Sequence, residues 1–182
     1  LYEKERKDID HYLKEKFSII FLEKFIEGVV HQIRPKFRHR HINIRTEIQP
    51  DISVYFDETI LYKILIGLIK NAVENTPDQG EIHINSLAKE DKIFIKVSDY
   101  GVGIKEDDHD QIFEGFFHTQ PDNFYSTKKS YEFNCGGIGL DLFRIKTYST
   151  IYGFELGFKS IPCRFLSNEE YRCPGKIQDC RV

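Results

Sequence analysis

The sequence predicts an α/β fold in which amphipathic helices pack against a β-sheet. Two observations predict it. Apolar residues recur at helical spacing in three separate stretches, with strictly alternating stretches between them. Apolar residues also make up 40% of the chain, including 15 Phe and 10 Tyr, which is enough to fill a core. Each kind of element has one face to bury, so the two kinds stack in layers.

Taken in order, residues 1–17 are a charged helical run and read as a linker from an upstream domain. From Ser18 to about Arg34, Ile19, Ile20, Leu22, Phe25, Ile26, Val29, Val30 and Ile33 recur at helical spacing, and Pro35 marks the end. HINIRTEI alternates as a strand. Pro50-Asp51 turns the chain into a second strand, ISVYF, and Asp57 is placed to cap a helix over 58–76. That helix carries Ile60, Leu61, Ile64, Leu65, Leu68, Ile69 and Ala72 on one broad face. Asp78-Gln79-Gly80 makes a turn, and the strands EIHINSL and KIFIKVS follow as a hairpin about Glu90-Asp91. Residues 105–114 read as a short acidic helix, and about 115–136 have no period, as expected of a functional loop. Helical spacing returns with Ile138, Leu140, Leu142, Phe143 and Ile145, and FELGFKSI reads as a last strand before a cysteine-containing tail over 161–182.

The totals narrow the function. At 182 residues the chain is one domain with appendages, and a net charge of −3 with mixed signs predicts no nucleic-acid partner. No apolar run reaches the ~18 residues of a membrane span. The charged start reads as no signal peptide, and the absence of Met reads as an excised fragment. The four cysteines, Cys135, Cys163, Cys173 and Cys180, are expected to stay reduced in a cytoplasmic setting. The tail's three cysteines read as packing residues, with a metal or a redox-linked disulfide as the alternative.

Three constellations carry chemistry. Asn71 lies at the edge of the second helix's apolar face, where its neutral oxygen suits a hard cation such as Mg²⁺, although a surface Asn fits as well. Asp99 closes a strand and is followed by Gly101 and Gly103, a pattern that also describes ordinary turns. Cys135-Gly136-Gly137-Ile138-Gly139-Leu140 opens a helix, where free N–H groups suit phosphate, or where a flexible linker enters.

In this order and at these intervals, the three resemble the ATP-binding kinase domain of bacterial sensor histidine kinases, of the GHKL superfamily, over roughly residues 18–160. LIKNAVENTP is similar to the N box, VSDYGVGI to the first glycine box, IFEGFFHT to the F box and CGGIGLDLFRIK to the second glycine box. The resemblance implies a two-layer sandwich, a mixed sheet of about five strands covered on one face by three main helices, with a mobile ATP lid at about 115–136. It implies that Asp99 accepts from the adenine amino group, that Gly101 and Gly103 keep side chains out of the cleft, and that Asn71 ligates Mg²⁺ and serves catalysis. Asn75 would flank the adenine. Gly137, Gly139 and Leu140 would let the lid backbone approach the triphosphate. Phe113, with Phe116 and Phe117, would pack the lid on the domain. Lys128 and Lys129 have the reach for the phosphates but match no fixed family position, and a solvated pair suits them better.

The implied function is phosphoryl transfer from Mg-ATP to a histidine on a separate dimerisation domain of the same protein, and onward to a response regulator. The full-length protein would be a homodimer, with this domain cytoplasmic. Four positions depart from the family pattern. Gly67 stands where these kinases often carry Asn and the hydrolytic members a general-base Glu, Glu74 where many have Lys, Asn75 where an aromatic is common, and Cys135 where Gly is. Gly67 argues against a hydrolytic ATPase, and Glu74, Asn75 and Cys135 motivate the alternative of a nucleotide-binding module without kinase activity. An anti-sigma-factor-like serine kinase is a further alternative. His11 lacks the sequence context of a phosphoacceptor, so the acceptor is expected elsewhere.

Overall fold

A computed structural model describes residues 16–115, 130–133, 135, 140–163 and 173–180. Strand β1 (Phe17–Phe21) leads directly into helix α1 (Leu22–Ile33), and a 3-10 turn over Arg34–Phe37 carries the chain through Pro35. Strands β2 (Asn43–Ile48) and β3 (Ser53–Asp57) come next, then the long helix α2 (Glu58–Asn75). The hairpin β4 (Glu81–Lys89) and β5 (Lys92–Asp99) follows, and helix α3 (Asp141–Tyr152) completes the main elements.

The described strands form two sheets. β2 pairs in parallel with β4, which pairs antiparallel with β5, so this sheet is mixed; β1 and β3 form a separate antiparallel ribbon. The parallel pair is possible because α2 and its flanking turns lie between β2 and β4 and supply the crossover. Leu22, Ile26, Val29 and Ile33 of α1 and Leu65, Ile69, Ala72 and Val73 of α2 are buried against Ile44, Ile82 and Ile84 of the sheet. Burying each such aliphatic side chain contributes roughly 1.5–3 kcal/mol, so this layer contact dominates the stability. α3 packs on α2, with Ile145 against Ile60 and Ile64.

Local signals placed the best-formed boundaries. Asp57 caps α2, its Oδ1 accepting from the Ile60 N–H at 3.1 Å. Asp51, Gln79 and Glu90 take positive φ at the three tight turns expected from their neighbourhoods.

Four expectations are corrected. The first helix does not begin at Ser18: FSIIF is a strand, and the helix starts at Leu22. The β-branched and aromatic run pairs with β3, Ile20 opposite Val54, burying Ile20 and leaving Ile19 and Phe21 exposed, which is a period of two. The five strands belong to two sheets rather than one. The acidic stretch 105–114 is only a 3-10 turn at Glu106–Asp108 followed by further turns, because it has no apolar stripe to dock. FELGFKSI runs past β5 without forming a strand; its ties there are side-chain ones, Lys92 to Glu155 and the Ile104 N–H to Ser160 Oγ at 2.8 Å.

Candidate functional site

The site forms where the C-terminal end of α2 meets the end of β5. β4 fixes the height of Asp99, which lies opposite Ile82 in the ladder. Asp99 Oδ1 accepts from the Gly101 N–H at 2.9 Å, closing the turn on the carboxylate. Solvent reaches this side chain from one side. The protein packed around it nonetheless desolvates it, and that raises its pKa above the ordinary carboxylate value against the lowering effect of the Gly101 N–H. Among the described residues no cation pairs with it. A carboxylate held by a backbone amide, with no counter-charge among those residues, is an acceptor open to a donor.

The glycines answer to the chain itself. A β-carbon on Gly101 would overlap the Asn75 carbonyl oxygen, because the Val102 N–H donates to that oxygen at 3.3 Å and pulls the loop against the end of α2. Gly103 has φ +74° and lies against the backbone of Ile161 and Pro162. The Cys163 N–H, donating to the Val102 carbonyl at 2.8 Å, brings that backbone in. Close approach is therefore the reason for both glycines, with the approaching backbone supplied by α2 and by residues 161–163.

On α2, Asn71 and Asn75 stand one turn apart and half-buried. Asn75 Nδ2 donates to the Asn71 carbonyl at 2.8 Å and lies 3.3 Å from Asn71 Oδ1. Asn75 thus joins the two halves of the site, its amide toward Asn71 and its carbonyl under the Asp99 loop. Gly67 sits beneath α3, where a β-carbon would come 3.3 Å from Ile145 Cδ1. Phe113 packs edge-on to Phe158 with centroids 5.7 Å apart, and Leu140 precedes α3 as its N-terminal flank. Phe116, Phe117, Lys128, Lys129, Gly137 and Gly139 lie outside the described residues.

Sequence reasoning singled out Glu74 and Cys135 but missed the groups that meet them. Glu74 is buried, with Oε1 accepting from the Tyr131 N–H at 3.0 Å. Lys70 lies 3.8 Å from Glu74 and 2.6 Å from Asp141 Oδ2. Arg40 is buried as well. It donates to the Thr76 carbonyl at 2.7 Å and the Tyr131 carbonyl at 2.9 Å, and pairs with Asp78. The Cys135 thiol is pushed up to about 12 by burial and by the Glu74 carboxylate to which it hydrogen-bonds. The four-residue spacing of Lys70 and Glu74 was a visible ion-pair signal. Nothing near Arg40 in the sequence announced its partners.

The tail cysteines are free thiols, as is Cys135. Burial raises the Cys173 thiol, with Cys163 and Cys180 close enough to add to the effect. Among the described residues no cluster of His, Cys, Asp or Glu is arranged to hold a metal. Residues 173–180 dock instead on the turn after α2, with the Asp78 N–H donating to the Gly175 carbonyl at 2.8 Å and the Ile177 N–H to the Asp78 carbonyl at 2.9 Å.

A helix-backed mixed sheet, with a carboxylate at the end of β5 whose loop packs on Asn75 of α2, is the frame of a nucleotide-binding α/β sandwich. The chain belongs to the family of histidine kinase-, DNA gyrase B- and HSP90-like ATPases, whose model matches residues 56–166. Membership implies ATP binding. The adaptive-response sensory kinase SasA of Gloeothece citriformis is 29% identical over 140 residues, 76% of this chain and 34% of the relative. The chain thus spans about a third of the length of that curated relative. The catalytic domain of histidine kinase ThkA is 28% identical with a TM-score of 0.60, over 75% of this chain and 82% of that one. ThkA in complex with the response regulator protein TrrA matches at 28% identity and a TM-score of 0.53, over 65% of this chain and 38% of that one. The fold is that of histidine kinase catalytic domains.

Proposed function

We propose that this chain is the catalytic ATP-binding domain of a two-component sensor histidine kinase, which binds Mg-ATP and donates the γ-phosphate to a histidine on a separate domain. The observation that carries the reading is Asp99. Its partly desolvated carboxylate is oriented by the Gly101 N–H and has no cationic partner among the described residues, which leaves it free to accept from an N–H donor such as the exocyclic amino group of a purine. Asn71 Oδ1 is a neutral oxygen at the edge of α2 and fits a hard cation that takes its remaining ligands from phosphate and water. Bound there, Mg²⁺ would neutralise phosphate charge, which is most of what phosphoryl transfer asks of a protein. Asn75 would hold Asn71 and the Asp99 loop in register, and Gly137 and Gly139 would bring backbone amides to the phosphates.

The partners in this reading are the histidine-bearing dimerisation domain of the same protein and a response regulator, with the whole protein a homodimer and this domain in the cytoplasm. Among the described residues no helix is long and apolar enough to cross a membrane. The test is phosphorylation in trans: this chain, Mg-ATP labelled at the γ-phosphate, and the histidine-bearing domain that precedes it. Acid-labile label on that domain supports the reading. A second reading, a nucleotide-binding module without kinase activity, is favoured by Glu74, a buried acidic residue where many histidine kinases are expected to carry Lys. Tight Mg-ATP binding with no transfer would select it.

A further inference from the structure

Glu74 raises a physical question. A buried carboxyl group is costly unless it is paired and hydrogen-bonded, and Glu74 is buried close to Asn71. Its partners meet that requirement. Oε1 accepts from the Tyr131 N–H at 3.0 Å, the Cys135 thiol hydrogen-bonds to the same side chain, and Lys70 is 3.8 Å away. Two of these three belong to the segment that runs into Gly136-Gly137-Ile138-Gly139.

That segment is held from the other side as well. Arg40 Nη1 donates to the Tyr131 carbonyl at 2.9 Å while its Nη2 holds the Thr76 carbonyl at the end of α2. The Arg40 guanidinium also lies 5.9 Å from the centre of the Phe133 ring. Both backbone polar groups of Tyr131 are therefore taken by buried charged side chains. Tyr131 has φ +71°, a left-handed conformation that a bulky residue keeps only under external constraint. Glu74 lies three residues after Asn71, on the same side of α2.

We propose that Glu74 is a positioning residue: with Arg40 it fastens Tyr131 and Cys135 onto α2 one turn from Asn71, and so shapes the nucleotide site on that side of the helix. The proposal rests on the nucleotide-site reading above. It explains how an acid is tolerated at position 74. The carboxylate is spent on backbone and thiol donors and on Lys70, rather than left to repel phosphate.

The test uses the whole chain, with amide hydrogen exchange at Tyr131 and Cys135 and calorimetric titration with Mg-ATP. In Glu74→Ala the Tyr131 amide should exchange at least about tenfold faster and the Kd for Mg-ATP rise about tenfold, with binding stoichiometry unchanged. Removing a negative charge by itself favours phosphate binding, so a weakening must act through position. Glu74→Gln keeps the acceptor oxygen and should protect Tyr131 and bind Mg-ATP at least as well as wild type. Should Glu74→Ala fail to fold, Glu74→Asp draws the carboxylate back by one methylene and should weaken binding in the same direction. A lowered stoichiometry at unchanged Kd would mean a merely structural role and overturn the proposal, as would a Glu74→Gln as weak as Glu74→Ala. Wild type that does not bind Mg-ATP at all would sink the nucleotide-site reading itself, a different result from wild-type binding that Glu74→Ala leaves untouched.

Discussion

Lys70 Nζ on α2 lies 2.6 Å from Asp141 Oδ2, on the first residue of α3. This pair ties α2 to α3. Burial would lower the Lys70 pKa, but the hydrogen bond to Asp141 and the charges of Glu74 and Asp141 outweigh it, and the net shift is upward. A cation whose pKa is raised on folding contributes stability that is complete below the unfolded value, 10.5, and is lost as pH rises through the higher folded value. Lys70→Met should therefore lower stability by about 1–3 kcal/mol at neutral pH. The gap from wild type should stay constant through the neutral range and close only above 10.5. Thermal melts across pH check this; a gap that fades between about pH 7 and 9 contradicts the pairing.

Asp99 has the opposite sign. Its folded pKa is raised, so its charged form is disfavoured by folding and stability falls as pH rises from the ordinary carboxylate value, 3.8, through the folded value. Asp99→Asn should be at least as stable as wild type at neutral pH, and its advantage should shrink as pH drops toward 3.8. Its affinity for Mg-ATP should fall by about 1.5–3 kcal/mol through the lost charge-assisted acceptor. Calorimetry and melts on the two proteins separate the effects. Equal affinities would remove Asp99 from the site.

Asn71→Ala leaves a good helix former in α2, so the fold should persist. Binding of ATP should lose its dependence on Mg²⁺, while nucleotide without metal binds nearly as before. Asn75→Ala is the contrast: it frees Asn71 Oδ1 from the Asn75 amide at 3.3 Å and should keep the Mg²⁺ dependence. Titrating Mg²⁺ at fixed ATP distinguishes them. An identical response from Asn71→Ala and wild type would end the metal assignment.

Ser86 continues the inward-facing row of Ile82 and Ile84 on β4, and its buried hydroxyl has no hydrogen-bond partner among the described residues. Ser86→Ala should stabilise the chain by about 1 kcal/mol, the cost of an unpaired buried polar group. Denaturant unfolding measures this directly, and a destabilised variant would show that the hydroxyl is satisfied in solution.

The sequence by itself determined what depends on residues three or four positions apart. The Asp57 cap, the apolar face of α2, the turn at Asp78-Gln79-Gly80 and the β4–β5 hairpin are local, and each formed where its residues indicated. Asp99 and Asn71 stood out as candidates because a strand ending on an acid, and an Asn at the edge of an apolar helix face, are local irregularities. Tertiary structure decided the rest. Helical spacing in FSIIF was overridden by pairing with β3, Phe17 opposite Asp57, since a ladder partner outweighs propensity in so short a run. The two glycines after Asp99 were legible, but what approaches them was not: Asn75 and Ile161 arrive from other parts of the chain. Arg40 meets Tyr131 across 91 residues. A buried charge takes whichever donors and acceptors the packed core brings to it, and a sequence read locally contains no record of which those are.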